Sequence, residues 1–131
     1  MINKSIQVLL VEDSEADRFL FEAMLDEINE DVSVFPACDG EQARQLLTTN
    51  EVSPEIIFLD INMPRMNGYE FLACSESLLV EKNIQVYMLS SSDREQDKEE
   101  AVSYSCVKGY IQKPCTAEVL ASTLYHSTPP H

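Results

Sequence analysis

Five times along this chain a short apolar run of strand length gives way to a stretch whose apolar residues recur at helical spacing, and that alternation leaves few folds open. Residues 6–11 (IQVLLV) are almost wholly apolar, as suits a strand covered on both faces. Ser14 then offers an N-cap with Asp17 three residues on, and Ala16, Leu20, Ala23, Met24 and Ile28 follow as a helical stripe. Residues 32–37 (VSVFPA) read as a second strand, placed at a sheet edge by Pro36, which has no N–H for an inner ladder. A helix opens at Asp39-Gly40 with Ala43, Leu46 and Leu47 inward. Strand three is 55–60 (EIIFLD), and a loop with Pro64 and Gly68 leads to a helix carrying Phe71, Leu72 and Leu79. Strand four is 84–89, followed by a strongly polar helix over 93–104. Strand five is 108–112, and a last helix runs from Thr116 to Tyr125 with Val119, Leu120 and Leu124 inward.

Five such units with short connections predict a doubly wound α/β fold, a five-stranded parallel sheet with helices on both faces. The right-handed crossover rule leaves few strand orders, of which 2-1-3-4-5 is one of the two common ones. A chain of 131 residues fits one domain, since domains of about 100–150 residues are the commonest. The folded core is expected over residues 6–125 and a tail over 126–131. A net charge of -14 argues against nucleic acid and anionic membranes as direct partners, because both need Lys/Arg patches. Cys38, Cys74, Cys106 and Cys115 show neither zinc spacing nor the density of a disulfide scaffold. The N-terminal apolar run is too brief for a signal segment or a membrane span. A reducing cytoplasm is the expected location.

The strand ends carry the chemistry. Glu12-Asp13 follows VLLV, Asp60 follows IIFL, Ser90, Ser91 and Ser92 follow VYML, and Lys113-Pro114 follows GYIQ. Ligands of open parallel sheets bind at the carboxyl ends of the strands, so these groups are expected to converge, with Asp13 beside Asp60. Crowded carboxylates repel, and either one stays protonated or a cation binds. Hard oxygen ligands with few dedicated protein groups suit Mg²⁺, with Mn²⁺ able to stand in. No D-x-D-x-D-G loop is present, which excludes an EF-hand calcium site. An aspartate can itself be a phosphoryl-accepting nucleophile, and Mg²⁺ with a lysine supplies the charge stabilisation that phosphoryl transfer needs.

VLLVEDSEADR, IIFLDINMPRMNGYEFL with its D-x-x-M-P-x-x-x-G pattern, VYMLSSSD and GYIQKP together resemble a response regulator receiver domain of two-component systems, of the stand-alone chemotaxis type. The resemblance runs from Ile6 to Leu124 and implies the flavodoxin-like order 2-1-3-4-5. It implies that Asp60 accepts a phosphoryl group from a histidine kinase or a histidine phosphotransfer protein. Glu12, Asp13, Asp60 and the carbonyl of Asn62 would hold Mg²⁺, and Lys113 with the amides of Asn62 and Ser91 would face the phosphoryl oxygens. Ser90 stands at the hydroxyl switch position and Tyr110 at the aromatic one. By the same resemblance the Lys113-Pro114 bond is cis, and Asn62 and Ser92 tune the lifetime of the acyl phosphate. Both are small and neutral, which implies a moderate lifetime. Glu12 replaces the family's commoner Asp and Ser90 its commoner Thr, and neither change removes a reacting group.

The resemblance further implies a receiver without its own output module, which is not an enzyme beyond its own phosphorylation and dephosphorylation. It would act as a monomer or weak dimer by docking a downstream protein through the fourth helix, fifth strand and fifth helix. Asp93, Glu95, Asp97, Glu99 and Glu100 on that fourth helix suit a basic partner patch, or else form a plain solvated face. Two alternatives stay open: a pseudo-receiver that binds partners without phosphorylation, and a small aspartate-nucleophile phosphatase. Against the phosphatase, Asp60-Ile61-Asn62 lacks the second acid two residues on that such enzymes use as general acid/base.

Overall fold

Alternate residues of a strand face opposite sides of a sheet, and here both sides are apolar. The computed structural model describes residues 6–28, 31–63, 65–92 and 94–127. Five strands, β1 (Ile6–Val11), β2 (Val32–Ala37), β3 (Ile56–Asp60), β4 (Gln85–Ser90) and β5 (Val107–Gln112), alternate with five helices. These are α1 (Glu15–Ile28), α2 (Gly40–Thr48), α3 (Gly68–Glu81), α4 (Glu95–Val102) and α5 (Ala117–Ser127). The strands pair in parallel in the order β2-β1-β3-β4-β5, as expected, with Pro36 on the edge strand.

The two parities build two cores. Leu9, Val11, Ile57, Leu59, Val86 and Met88 meet Ala43 and Leu47 of α2, Phe71, Leu72 and Leu79 of α3, and Ala101 of α4. Val8, Leu10, Ile56, Phe58, Leu89 and Ile111 meet Phe21 and Leu25 of α1 and Leu120 and Leu124 of α5. Each fully buried side chain of this size contributes about 1.5–3 kcal/mol relative to exposure. Phe21 adds an edge-on contact with Phe58 at 4.8 Å between ring centroids.

Three expectations need correction. The inward row of α1 is Phe21 and Leu25, with Met24 and Ile28 half-buried, whereas Ala16, Leu20 and Ala23 are exposed. The segment FLFEAML holds overlapping apolar rows, and the one carrying Phe21 and Leu25 turns toward Phe58. On α5 Val119 is exposed for the same reason of phase, while Leu120 and Leu124 are buried. That helix also continues to Ser127, through the first residues expected as tail. Pro64, Asp93 and the tail from residue 128 lie outside the described residues.

Local signals set the helix starts. The Ser14 hydroxyl accepts the N–H of Asp17 at 3.2 Å, as a cap should. Asp39 caps α2 by accepting the N–H of Gln42 at 2.8 Å. Asn67 and Glu70 form a reciprocal capping box on α3. Gly68 is required by crowding: a Cβ there would lie 2.8 Å from the carbonyl oxygen of Asp60 and 2.9 Å from Cα of Ile61. The chain after β3 can therefore fold back directly over the end of its own strand.

Candidate functional site

The register of the sheet brings the strand ends into one place. Val11 pairs with Leu59, so the next step sets Glu12 beside Asp60. On the other side Asp60 pairs with Leu89, and Ser90 pairs with Gln112, the residue before Lys113. The turns are pinned by backbone bonds from Glu12 N–H to the Ala37 carbonyl (3.0 Å), Ile61 N–H to Leu89 (3.1 Å) and Lys113 N–H to Ser90 (2.7 Å). The Lys113-Pro114 peptide is cis.

One carboxylate oxygen from each of Glu12, Asp13 and Asp60 lies within 4.8 Å of the others. Glu12 and Asp60 are buried and Asp13 faces solvent. Lys113 reaches into the cluster from the opposite edge, its Nζ 2.6 Å from Glu12 Oε1, 3.2 Å from Asp17 Oδ2 and 3.6 Å from Asp60 Oδ1. Four of the groups expected from sequence thus share one pocket, although 101 positions separate Glu12 from Lys113.

This crowding shows in the acid–base chemistry. Burial, then a hydrogen bond and the negative charge of Glu12, push the Asp60 carboxyl from its ordinary 3.8 to about 7, against the opposing pull of Lys113 and the Asn62 amide. Burial alone would lower the Lys113 ammonium. The hydrogen bond to Glu12 and the charges of Asp60 and Glu12 outweigh it and hold that pKa above the ordinary lysine value. Four acids, Glu12, Asp13, Asp17 and Asp60, around the one ammonium of Lys113 leave the pocket with surplus negative charge.

Around this centre the remaining candidates take distinct positions. The Asn62 N–H donates to Asp60 Oδ1 at 3.3 Å, while its side chain is exposed. Ser90 is buried and its Oγ accepts the N–H of Ser92 at 3.1 Å. Ser91 is exposed and lines, with Lys113, a cleft of ≈ 340 Å³ whose walls include Leu20, Phe21, Met24 and Pro114. Tyr110 is half-buried and donates its hydroxyl to the Ser92 carbonyl at 2.9 Å.

Sequence reasoning missed two neighbours. Asp17, read only as part of a helix cap, is the second carboxylate on Lys113. Its place in the first turn of α1, just after the Glu12-Asp13 pair, was the available signal. Arg18 donates from its guanidinium to the Glu12 carbonyl at 2.7 Å, which nothing in the sequence indicated.

The donor set fits a hard divalent cation. Its oxygens are carboxylates, close enough to share one ion, and burial together with the neighbouring Glu12 raises the Asp60 carboxyl, a cost that a bound cation would relieve. Glu12, Asp13 and Asp60 are the groups that would hold Mg²⁺.

Residues 8–125 match the family described as the response regulator receiver domain. Protein PilG of Pseudomonas aeruginosa is 32% identical over 95% of this chain and 88% of its own length. The sensor histidine kinase CheAY of Helicobacter pylori is 28% identical over 92% of this chain, which spans 15% of that protein. Among solved structures, the chemotaxis response regulator CheY4 of Vibrio cholerae superposes with a TM-score of 0.79 at 27% identity, covering 95% of this chain and 100% of that one. A two component response regulator from Cytophaga hutchinsonii gives 0.82 at 27% identity, covering 95% and 98%.

Proposed function

The chain belongs to the response regulator receiver domain family, and from that premise we propose that Asp60 is its phosphoacceptor. The donor in this reading is the phosphohistidine of a histidine kinase or histidine phosphotransfer protein. A carboxylate oxygen of Asp60 attacks the phosphorus and the P–N bond breaks. The electron pair leaves on the imidazole nitrogen, and an acyl phosphate remains on the aspartate. Lys113, 3.6 Å from Asp60, would pair with the incoming phosphoryl oxygens. The amides of Asn62 and Ser91 complete their surroundings, and the Ser90 hydroxyl is the group drawn toward them afterwards. Mg²⁺, held by Glu12, Asp13, Asp60 and the carbonyl of Asn62, would neutralise the charge gathered on the phosphoryl group and its acceptor.

The observation that carries this reading is the meeting of Glu12, Asp13, Asp60 and Lys113 at one strand-end pocket. A solvated lysine or an ordinary cap residue has no reason to converge there. The phosphorylated state would bias a conformational equilibrium read by a downstream protein on α4, β5 and α5. The acidic run of Glu95, Asp97, Glu99 and Glu100 on α4 suits a basic surface on that protein.

Acetyl phosphate with Mg²⁺ tests the chemistry. One phosphoryl group per chain should appear by intact mass, and neither the Asp60→Asn variant nor the metal-free protein should acquire it. No incorporation under these conditions would leave the phosphorylation-independent interaction module as the better reading. Hydrolysis of a phosphate ester far beyond one equivalent would instead revive the phosphatase.

A further inference from the structure

Helix α4 is weakly anchored. Of its eight residues Ala101 alone is buried. Its N-cap residue is Arg94, whose side chain has no acceptor and makes no capping bond. A helix this short has little stability of its own. Its placement therefore depends on ties that reach it from other parts of the fold.

Ser92, in the loop that leaves β4, supplies such a tie and uses all of its polar groups. Its N–H donates to Ser90 Oγ at 3.1 Å. Its hydroxyl donates to Asp97 Oδ2, in the first turn of α4, and accepts the N–H of Arg94 at 3.2 Å. Its carbonyl accepts the Tyr110 hydroxyl from β5 at 2.9 Å. Asp97 is gripped again by Arg94 Nε at 3.3 Å, and its own carbonyl accepts the Tyr69 hydroxyl from α3 at 3.0 Å. The Ser92 hydroxyl, foremost among its neighbours, holds the Asp97 carboxyl below the ordinary carboxylate range, so the bond favours the charged form.

We propose that Ser92 is a positioning residue whose hydroxyl, by holding Asp97, carries the state of Ser90 to helix α4. The inference rests on the reading of Asp60 as phosphoacceptor. Turning Ser90 Oγ toward a phosphoryl group on Asp60 withdraws the acceptor from the Ser92 N–H. The loop then shifts at the residue that grips both output elements. The two branches differ in chemistry. The α4 branch runs through a hydroxyl that alanine lacks, and the Tyr110 branch runs through a carbonyl that every residue has.

That difference makes the proposal testable with beryllofluoride and Mg²⁺ as the probe. Fluorine NMR reports occupancy at Asp60, the Tyr110 ring resonances report the β5 branch, and amide hydrogen exchange across Glu95–Val102 reports α4. In the unaltered protein, binding should change α4 exchange several-fold and move the Tyr110 signals. In Ser92→Ala, with the probe raised until the fluorine signal shows Asp60 fully occupied, the Tyr110 response should persist while the α4 change disappears. Ser92→Thr, which keeps the hydroxyl, should restore it. Asp97→Ala should reproduce the loss, and the double variant should be no worse than either single one.

A residue that merely stabilised α4 would speed exchange equally with and without the probe and leave their ratio intact, and that result would overturn the proposal. So would an unchanged α4 response in Ser92→Ala, or an unaltered protein that binds the probe without any response in α4. Failure of the unaltered protein to bind beryllofluoride at all would instead remove the phosphoacceptor reading, and the role of Ser92 with it.

Discussion

A single carboxyl, Asp60, sets the tension in this molecule. Burial beside Glu12 pushes it from the ordinary 3.8 up to about 7. Between those two values the folded chain keeps a proton that the unfolded chain releases, so stability falls as pH rises through that window. Above about pH 7 the whole penalty is present. Asp60→Asn removes it while keeping the shape, and in EDTA at pH 8 this variant should be more stable than the parent by on the order of 1–3 kcal/mol. The gap should close by pH 4. Urea titrations at both pH values check this, and equal stability at pH 8 would mean that Lys113 already neutralises the site. The same pocket has a steric limit at Gly68, where a methyl group would run into backbone at 2.8 and 2.9 Å. Because backbone cannot swing aside as a flexible side chain can, Gly68→Ala should cost about 1–3 kcal/mol. It should also slow phosphorylation by acetyl phosphate more than any loss of folded protein explains.

At the scale of elements, the helices show what a sequence pattern can and cannot resolve. Phe71, Leu72 and Leu79 on α3 share one helical face and all three are buried, although Ala73, Leu78 and Val80 crowd the same segment. On α1 the apolar residues Phe19, Leu20, Phe21, Ala23, Met24 and Leu25 crowd so closely that several phases satisfy a helical period. Packing against Phe58 decides between them, and a one-dimensional pattern has no access to that partner. The outcome is a sharp contrast between adjacent residues, since Leu20 is 59% exposed and Phe21 4%. Phe21→Ala should cost about 3–5 kcal/mol by leaving a void under α1. Leu20→Ser should change stability by no more than about 0.5 kcal/mol. Denaturant midpoints of the two variants measure both, and similar costs would place the helix in the other phase.

For the molecule as a whole, the site was more legible than the contacts around it, and for a topological reason. A parallel sheet in the order 2-1-3-4-5 delivers every strand's carboxyl end to one rim, so Glu12, Asp13, Asp60, Ser90 and Lys113 needed only their places at strand ends. Asp17 and the hydroxyl of Ser92 act through side-chain direction, which topology does not set. The same rim concentrates negative charge in a chain already at -14, and this permits a test of the site through global stability. A cation that binds the folded pocket and not the unfolded chain adds about 1.4 kcal/mol for each tenfold rise in its concentration above Kd. For a domain of this size that is a rise in melting temperature of roughly 4–7 °C per decade. General screening of surface charge by salt instead levels off once the Debye length falls to about 10 Å, near 0.1 M. MgCl₂ should therefore raise the melting temperature steadily with the logarithm of its concentration, and NaCl at matched ionic strength should not. Asp13→Asn removes one ligand at the solvent-facing side of the cluster without disturbing the ion pair of Glu12 and Lys113. Its magnesium response should shift to about tenfold or more higher concentration, in line with the loss of one charged ligand. Identical curves for the parent and Asp13→Asn would assign the whole effect to the surface and leave the pocket without its metal.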